Sequence, residues 1–377
     1  MTAIILILGL VLALLGGICY LRYRLQSLKD QGDLAAAIDR EFQKVTQRQQ
    51  CGGLVIGVYK QGQTLIRGHG TINFENTDPP DAQSIFQIGS VSKVLTAATL
   101  QILCDEGVLS LDDHLEKLLG QQLPLADAVK PITLRQLATH TSGFPRVPKI
   151  LMQQLEAKVG KQHMLDDPYN EFTSADIYAY LQNPTDLAKA GRFAYSNYGM
   201  GLLGHILEQV TGQSLEALAR TKIFQPLAMQ HSGIDLRQEA SNQVMQGYTA
   251  DCKPTPAWSF QVLAGAGAFY ANAADMLQFI QANLVKDSIL SRSLQKTQQP
   301  QASGKTGLAW MQATVLDRFI GNSKLIWHDG QVGGFTAYLA IDPQNEAGVV
   351  VLSSRCISGN MLGMMLMRQV RSQSWKK

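Results

Sequence analysis

The chain has 377 residues, 45% of them hydrophobic and 17% charged, with 33 glycines. That composition excludes an intrinsically disordered chain, and with no Gly-x-y repeat or Cys-dense framework it excludes fibrous and disulfide-stapled classes. Against 33 Lys+Arg stand 30 Asp+Glu, and a net charge of +3 spread along the chain gives no electrostatic footprint for a nucleic-acid partner.

In chain order, Thr2 to Leu21 carries no charged side chain and is dominated by Ile, Leu, Val, Gly and Ala. Twenty residues rising 1.5 Å each span about 30 Å, the thickness of a hydrocarbon core. No Lys or Arg precedes the run, and Gly16-Gly17-Ile18-Cys19 puts a bulky Ile just before the Cys, which argues against a cleaved leader or a lipoprotein site. An uncleaved transmembrane anchor is expected over residues 1–21. Arg22, Arg24 and Lys29 behind it favour a cytoplasmic position for the rest of the chain. Residues 22–50 are expected to form a helical stalk. Leu25, Leu28, Leu34, Ile38, Phe42 and Val45 make one apolar stripe there, suited to the main domain or to self-association with another copy.

Residues 51–377 are expected to be one domain. Leu54 to Tyr59 and Gln63 to Arg67 predict a hairpin across Lys60-Gln61-Gly62. Helices are predicted over Ser92–Cys104, Leu134–His140, Ser174–Leu181, Met200–Thr211, Ser214–Ile223 and Ala271–Asn283, the last with Asn272 as cap. Lys324–Trp327, Gly333–Ile341 and Gly348–Ser353 predict strands, and Asn360–Arg368 a closing helix. Strands at both ends with helices between them imply an α+β fold: an antiparallel sheet flanked by helices, completed by both ends of the chain, with an inserted mostly helical lobe. Cys19, Cys51, Cys104, Cys252 and Cys356 contain no C-x-x-C pair, and any disulfide among them is open. His69, His114, His140, His163, His205 and His231 show no ligand spacing and are expected to be core or surface residues.

Three segments can carry chemistry. In Ser90-Val91-Ser92-Lys93 at a helix start, the hydroxyl of Ser90 and the amine of Lys93 share one face. A serine is a weak nucleophile until a neighbour takes its proton, and a lysine can do so once burial and nearby positive charge lower its pKa. In Tyr195-Ser196-Asn197, the phenol can shuttle a proton and the amide of Asn197 can hold Lys93 or an acyl chain. In His328-Asp329-Gly330, Gly330 admits a substrate close to the backbone and Gln331 presents an N–H to an oxyanion. Each segment alone is also compatible with a cap, a core tyrosine or a strand end.

Together they resemble the penicillin-recognising serine hydrolases, in the branch of class C β-lactamases, D-alanyl-D-alanine carboxypeptidases and related esterases. The similarity extends to Thr133–Phe144, Gly191–Gly212, Ile223–Met229 and Ala264–Met276, in the family's order over roughly Cys51 to Arg368. The resemblance implies Ser90 as nucleophile, Lys93 and Tyr195 as proton-transfer pair, and Asn197 in support. It implies His328 at the opening of the third motif, and Ser90 and Gln331 as oxyanion donors. It also implies an acyl-enzyme and no metal or organic cofactor. His-Asp-Gly stands where class C β-lactamases carry Lys-Thr-Gly, and a largely neutral His attracts a substrate carboxylate less firmly than Lys. The expectation is therefore a membrane-anchored peptidase or esterase acting on a small D-amino-acid peptide, amide or ester substrate, ranked ahead of a class C-like β-lactamase. A non-catalytic, filament-forming relative is the third alternative. Its catalytic domain is expected on the periplasmic, extracytoplasmic face, where the resemblance outweighs the positive flank. Pro145 to Ala190 forms either a cleft wall or a solvated helical insertion.

Overall fold

The structure, a computed structural model, describes residues 33–121, 123–285, 288–313, 325–356 and 359–375. Its central strand β1 (Gly53–Lys60) is buried at every position. Leu54, Ile56 and Val58 turn to one face while Val55 and Tyr59 turn to the other, following the two-residue period of a strand. A strand covered on both faces needs an unbroken apolar run, and Leu54 to Tyr59 supplies it. β1 pairs antiparallel with β2 (Gln63–Gly70), the predicted hairpin. The sheet continues through β3 (Met311–Gln312), β4 (Ile326–Val332), β5 (Phe335–Asp342) and β6 (Ala347–Ser353) in the spatial order β2-β1-β6-β5-β4-β3. The first long strand thus pairs with the last, as an α+β sheet completed by both chain ends requires.

Five helices position the rest: α1 (Leu34–Thr46), α2 (Ser92–Asp105), α3 (Asn197–Thr211), α4 (Ala273–Leu284) and α5 (Asn360–Ser372). α1 and α5 cover one face of the sheet; α2 and α4 lie on the other, with the helical lobe beyond them. Asn272 caps α4 by accepting from the Asp275 N–H at 2.8 Å. The expected strands at 324–327 and 333–341 shift to β4 and β5. The two-residue turn Gly333-Gly334, with Gly333 at φ 47°, reverses the chain tightly enough for His328, Asp329 and Gly330 to lie inside β4. A disulfide joins Cys51, just before β1, to Cys252 in the loop leading to Trp258. Closing 201 residues of separation restricts the unfolded chain by an amount on the order of 5 kcal/mol in a chain-entropy treatment.

The membrane part of the expected architecture is corrected. No helix among the described residues is long and apolar enough to cross a membrane. The anchor expected over 1–21, like Arg22, Arg24 and Lys29, lies outside the described residues. The fold carried forward is the α+β domain alone, and single-pass attachment through residues 2–21 is withdrawn from the fold, the partners and the location. Of the two uses expected for the apolar stripe over 25–50, packing on the main domain is the one its described part makes. Leu34, Ile38 and Phe42 are buried against Ile56 and Val58 of the sheet and Leu362, Leu366 and Val370 of α5, so these three residues of the stripe are covered by their own domain, while Val45 is exposed.

Candidate active site

The strand Phe86–Gln87 pairs with Tyr270–Ala271 and runs into Gly89, whose φ of 50° is a left-handed value that glycine adopts at little cost. The chain then turns through Gly89–Val91 into α2, leaving Ser90 half-buried at the opening. Strand β4 lies directly against this turn. A Cβ on Gly330 would stand 2.1 Å from the Ile88 carbonyl oxygen, and one on Gly89 would stand 2.7 Å from the Gln331 nitrogen. Backbone therefore meets backbone here, and any side chain at either position would force the two segments apart.

Lys93 follows one helical turn after Ser90 and is wholly buried. Its Nζ donates to Ser90 Oγ at 2.9 Å and to the Ala266 carbonyl at 2.6 Å. Burial pushes the pKa of Lys93 well below its ordinary value; the charge of Arg146 adds to that effect and Asp329 opposes it. Tyr195 closes the group. Its phenol hydrogen-bonds to Ser90, and Lys93 Nζ lies 5.0 Å from its ring centroid. Burial pushes the pKa of this phenol up, against smaller lowering effects of Ser90 and Arg146. The shifts run in opposite directions. They favour a neutral amine and a protonated phenol on either side of one hydroxyl, which is the arrangement a proton shuttle needs.

His140, grouped with the core and surface histidines on sequence grounds, lies against Tyr195 with ring centroids 4.4 Å apart. Its Nδ1 accepts from the Ser196 N–H at 3.1 Å, and its carbonyl accepts from the Ala194 N–H at 2.8 Å. These bonds grip the residues on both sides of Tyr195. Asn197 opens α3; its Nδ2 donates to the Tyr169 hydroxyl at 2.8 Å, while its Oδ1 is buried without a hydrogen-bond partner among the described residues.

From the sheet side, His328 is buried in β4 with its ring centroid 6.1 Å from that of Tyr195. Its Nδ1 donates to the Asp329 carbonyl at 2.6 Å, which assigns the proton to Nδ1 and the lone pair to Nε2. Burial, with the charge of Lys93 in support, lowers its pKa from 6.5 to about 4, so the ring is neutral at pH 7. The Asp329 side chain leaves the strand on the opposite face, where its Oδ2 accepts from Asn360 Nδ2 at 2.8 Å. Val332 and Phe335 flank the two-residue turn as the bonded pair, so Gln331 and Thr336 fall in a non-bonded pair. The Gln331 N–H therefore points away from β5, toward the turn that carries Ser90.

The cleft over Ser90 has two lobes. One, of about 500 Å³, is lined by Val147, Met152, Tyr169, Trp258 and Phe260. The other, of about 270 Å³, is lined by Tyr195, Met311, Trp327 and His328. Ser90, Arg146 and Gln331 border both. Tyr169 stacks on Phe260 at 4.8 Å and packs on Trp258 at 5.8 Å. Buried Gln87, in the strand that leads to Ser90, fixes the Trp258 backbone: it donates to the Trp258 carbonyl at 2.6 Å and accepts from its N–H at 2.9 Å. Arg146, Val147, Met152, Pro168 and Tyr169 all border the first lobe, so the segment 145–190 contributes a cleft wall. Sequence reasoning missed Arg146, Trp258, Phe260 and His140 as cleft residues. The one available signal was the placement of His140 and Arg146 within and beside the Thr133–Phe144 segment.

The profile of the family described as "Beta-lactamase" matches residues 38–360. A β-lactamase of Pseudomonas fluorescens is 25% identical over 360 residues, covering 86% of this chain and 94% of its own. The D-alanyl-D-alanine-carboxypeptidase/endopeptidase AmpH of Escherichia coli K12 is 26% identical over 338 residues, covering 84% of this chain and 83% of its own. In fold, the β-lactamase/D-alanine carboxypeptidase from Pseudomonas syringae superposes with a TM-score of 0.74 at 21% identity, over 90% of this chain and 98% of its own. A class C β-lactamase does so with a TM-score of 0.76 at 22% identity, over 92% and 98%. The expected ranking is corrected accordingly. It placed a membrane-anchored peptidase or esterase ahead of a class C-like enzyme on the strength of one position, His328, and relatives matched over most of the chain outweigh that substitution. On these matches the chain belongs to the penicillin-recognising serine hydrolases, in the branch of class C β-lactamases and D-alanyl-D-alanine carboxypeptidases, and is a serine hydrolase.

Proposed function

We propose that this protein hydrolyses carboxamides of the class C type, β-lactams and peptides ending in D-alanine, through an acyl-enzyme on Ser90. The substrate class comes from the relatives, which include β-lactamases and a D-alanyl-D-alanine-carboxypeptidase/endopeptidase. The observation that carries the assignment to Ser90 is the wholly buried Lys93 amine, 2.9 Å from Ser90 Oγ. In its neutral form the amine turns its lone pair to the hydroxyl while the Ala266 carbonyl holds one N–H. Ser90 Oγ attacks the substrate carbonyl carbon as its proton passes to Lys93. The N–H groups of Ser90 and Gln331 face the developing oxyanion. The C–N bond then breaks, and Tyr195 gives its proton to the departing nitrogen and recovers one from Lys93. Water attacks the resulting ester, its proton returns through the same pair to Ser90, and the carboxylic acid leaves. Asn197, with Oδ1 unpartnered at the cleft, is suited to an amide N–H of the acyl group.

The test is intact mass after exposure to a fluorescent penicillin, with nitrocefin turnover measured alongside. Wild type is expected to gain the mass of the β-lactam, and Ser90→Ala to gain none and to lose turnover by a factor of about 10⁴. An equal adduct on wild type and S90A would remove Ser90 from the nucleophile's role.

A further inference from the structure

The two lobes of the cleft differ in which end of a substrate they suit. Tyr195, the group placed to protonate the departing atom, lines the smaller lobe. The leaving group therefore exits through that side, and the acyl group occupies the larger lobe with Tyr169, Trp258 and Phe260. The cation available on the leaving-group side is not the residue at the third motif. His328 is buried, carries its proton on Nδ1 toward the Asp329 carbonyl, and is neutral at pH 7. Lys93 is held by Ser90 and the Ala266 carbonyl deep below the opening. Arg146 is different. It borders both lobes and is solvent-exposed, with its guanidinium carbon 5.4 Å from the Tyr195 ring centroid. No ion pair engages it among the described residues. A guanidinium held over an aromatic face by a cation–π contact still has N–H donors to offer, and its planar fork matches a carboxylate.

Resting on the hydrolase reading above, we propose that Arg146 holds an anionic group on the leaving fragment of the substrate, and so makes the enzyme select substrates whose departing half carries a carboxylate. Arg146 takes over the charge recognition that a lysine opening the third motif would supply. It is a specificity-determining residue, distinct from the proton-transfer pair.

The experiment uses one acyl group with two leaving groups: an acyl ester of D-lactate, which departs as an anion, and the same compound with the lactate carboxylate methylated. The ratio of kcat/KM for the two substrates is compared among wild type, Arg146→Gln and Arg146→Lys. Arg146 also influences Lys93, and the ratio cancels any effect common to both substrates. Wild type is expected to prefer the carboxylate. R146Q should lose that preference by about ten- to a hundredfold, mostly through KM, and R146K should fall between them. An unchanged ratio in R146Q, or no preference in wild type, overturns the proposal. Failure of the underlying hydrolase reading looks different, since S90A would then turn over both esters as wild type does.

Discussion

The deep end of the cleft and its aromatic wall are built by opposite means. At the deep end, Ser90, Lys93 and Tyr195 are held by a helix start, a carbonyl and a neighbouring ring, and Gly89 and Gly330 bring two backbones into contact. The wall of Tyr169, Trp258 and Phe260 comes from loops. It is fixed by Gln87 on the Trp258 backbone, by Asn197 on the Tyr169 hydroxyl, by Asp167 on Ser259 and by ring contacts, and the Trp258 indole nitrogen is buried without a partner among the described residues. Ser90 and Lys93 sit at and just inside a helix start, and Tyr195, in the irregular segment before α3, is gripped on both sides by His140, so small displacements of the three are resisted. Groups that choose a substrate sit where sequence can vary without moving the nucleophile.

That division can be broken experimentally, first at the deep end. Lys93→Met keeps the apolar stem and removes the proposed base. We expect kcat to fall about a thousandfold with the melting temperature unchanged or raised, because a buried amine is replaced by a side chain that needs no hydrogen bond. Turnover within tenfold of wild type would assign proton removal to another group, with Tyr195 the first to examine.

A second, smaller effect concerns stability. The folded pKa of His328 is about 4, against 6.5 for an unperturbed imidazole. As pH falls below about 6.5 the unfolded chain takes up a proton that the folded one refuses, so stability is complete above that pH and is lost on acidification. At pH 5 this amounts to about 2 kcal/mol. His140, also shifted down by burial, acts in the same direction. Urea midpoints at pH 7 and pH 5 should therefore separate less in His328→Gln than in wild type. Equal separations would show that this ring is not buried in its neutral form.

The wall supplies the smallest effect and sharpens the contrast. Trp258→Ala is expected to raise KM about tenfold for substrates with an aromatic acyl group while leaving kcat within about twofold. A fall in kcat at constant KM, seen in single-turnover kinetics, would mean that the wall also sets the reacting geometry.

The same contrast explains what the sequence made legible. Ser90 and Lys93 were legible because a helix start puts residues three apart on one face and because the other segments of the family pattern stand beside them in order. Gly89 was legible as the residue of a tight entry turn, whereas Gly330, expected to admit a substrate to the backbone, instead faces the Ile88 carbonyl of the neighbouring turn. The strands β1, β5 and β6 were visible as apolar runs because both faces of the sheet are covered. Arg146, Trp258 and the Cys51–Cys252 bond were not visible in this way. Each depends on a partner at long separation, such as Gln87 with Trp258 or Cys51 with Cys252, and such pairings leave no period in the local sequence. The placement of His328 inside β4 was missed for a related reason, since the boundary is set by the Gly333-Gly334 reversal rather than by the apolar pattern before it.

The pairing of the first long strand with the last has a consequence for how the protein comes to work during synthesis. Ser90 emerges from the ribosome early, while Gln331 and its N–H follow 241 residues later, and β1, paired early with β2, gains its second neighbour only when Ala347–Ser353 has appeared. An N-terminal fragment that ends before Gln331 lacks one of the two N–H groups proposed to face the oxyanion, so such a stalled or truncated product carries the proposed nucleophile without that donor.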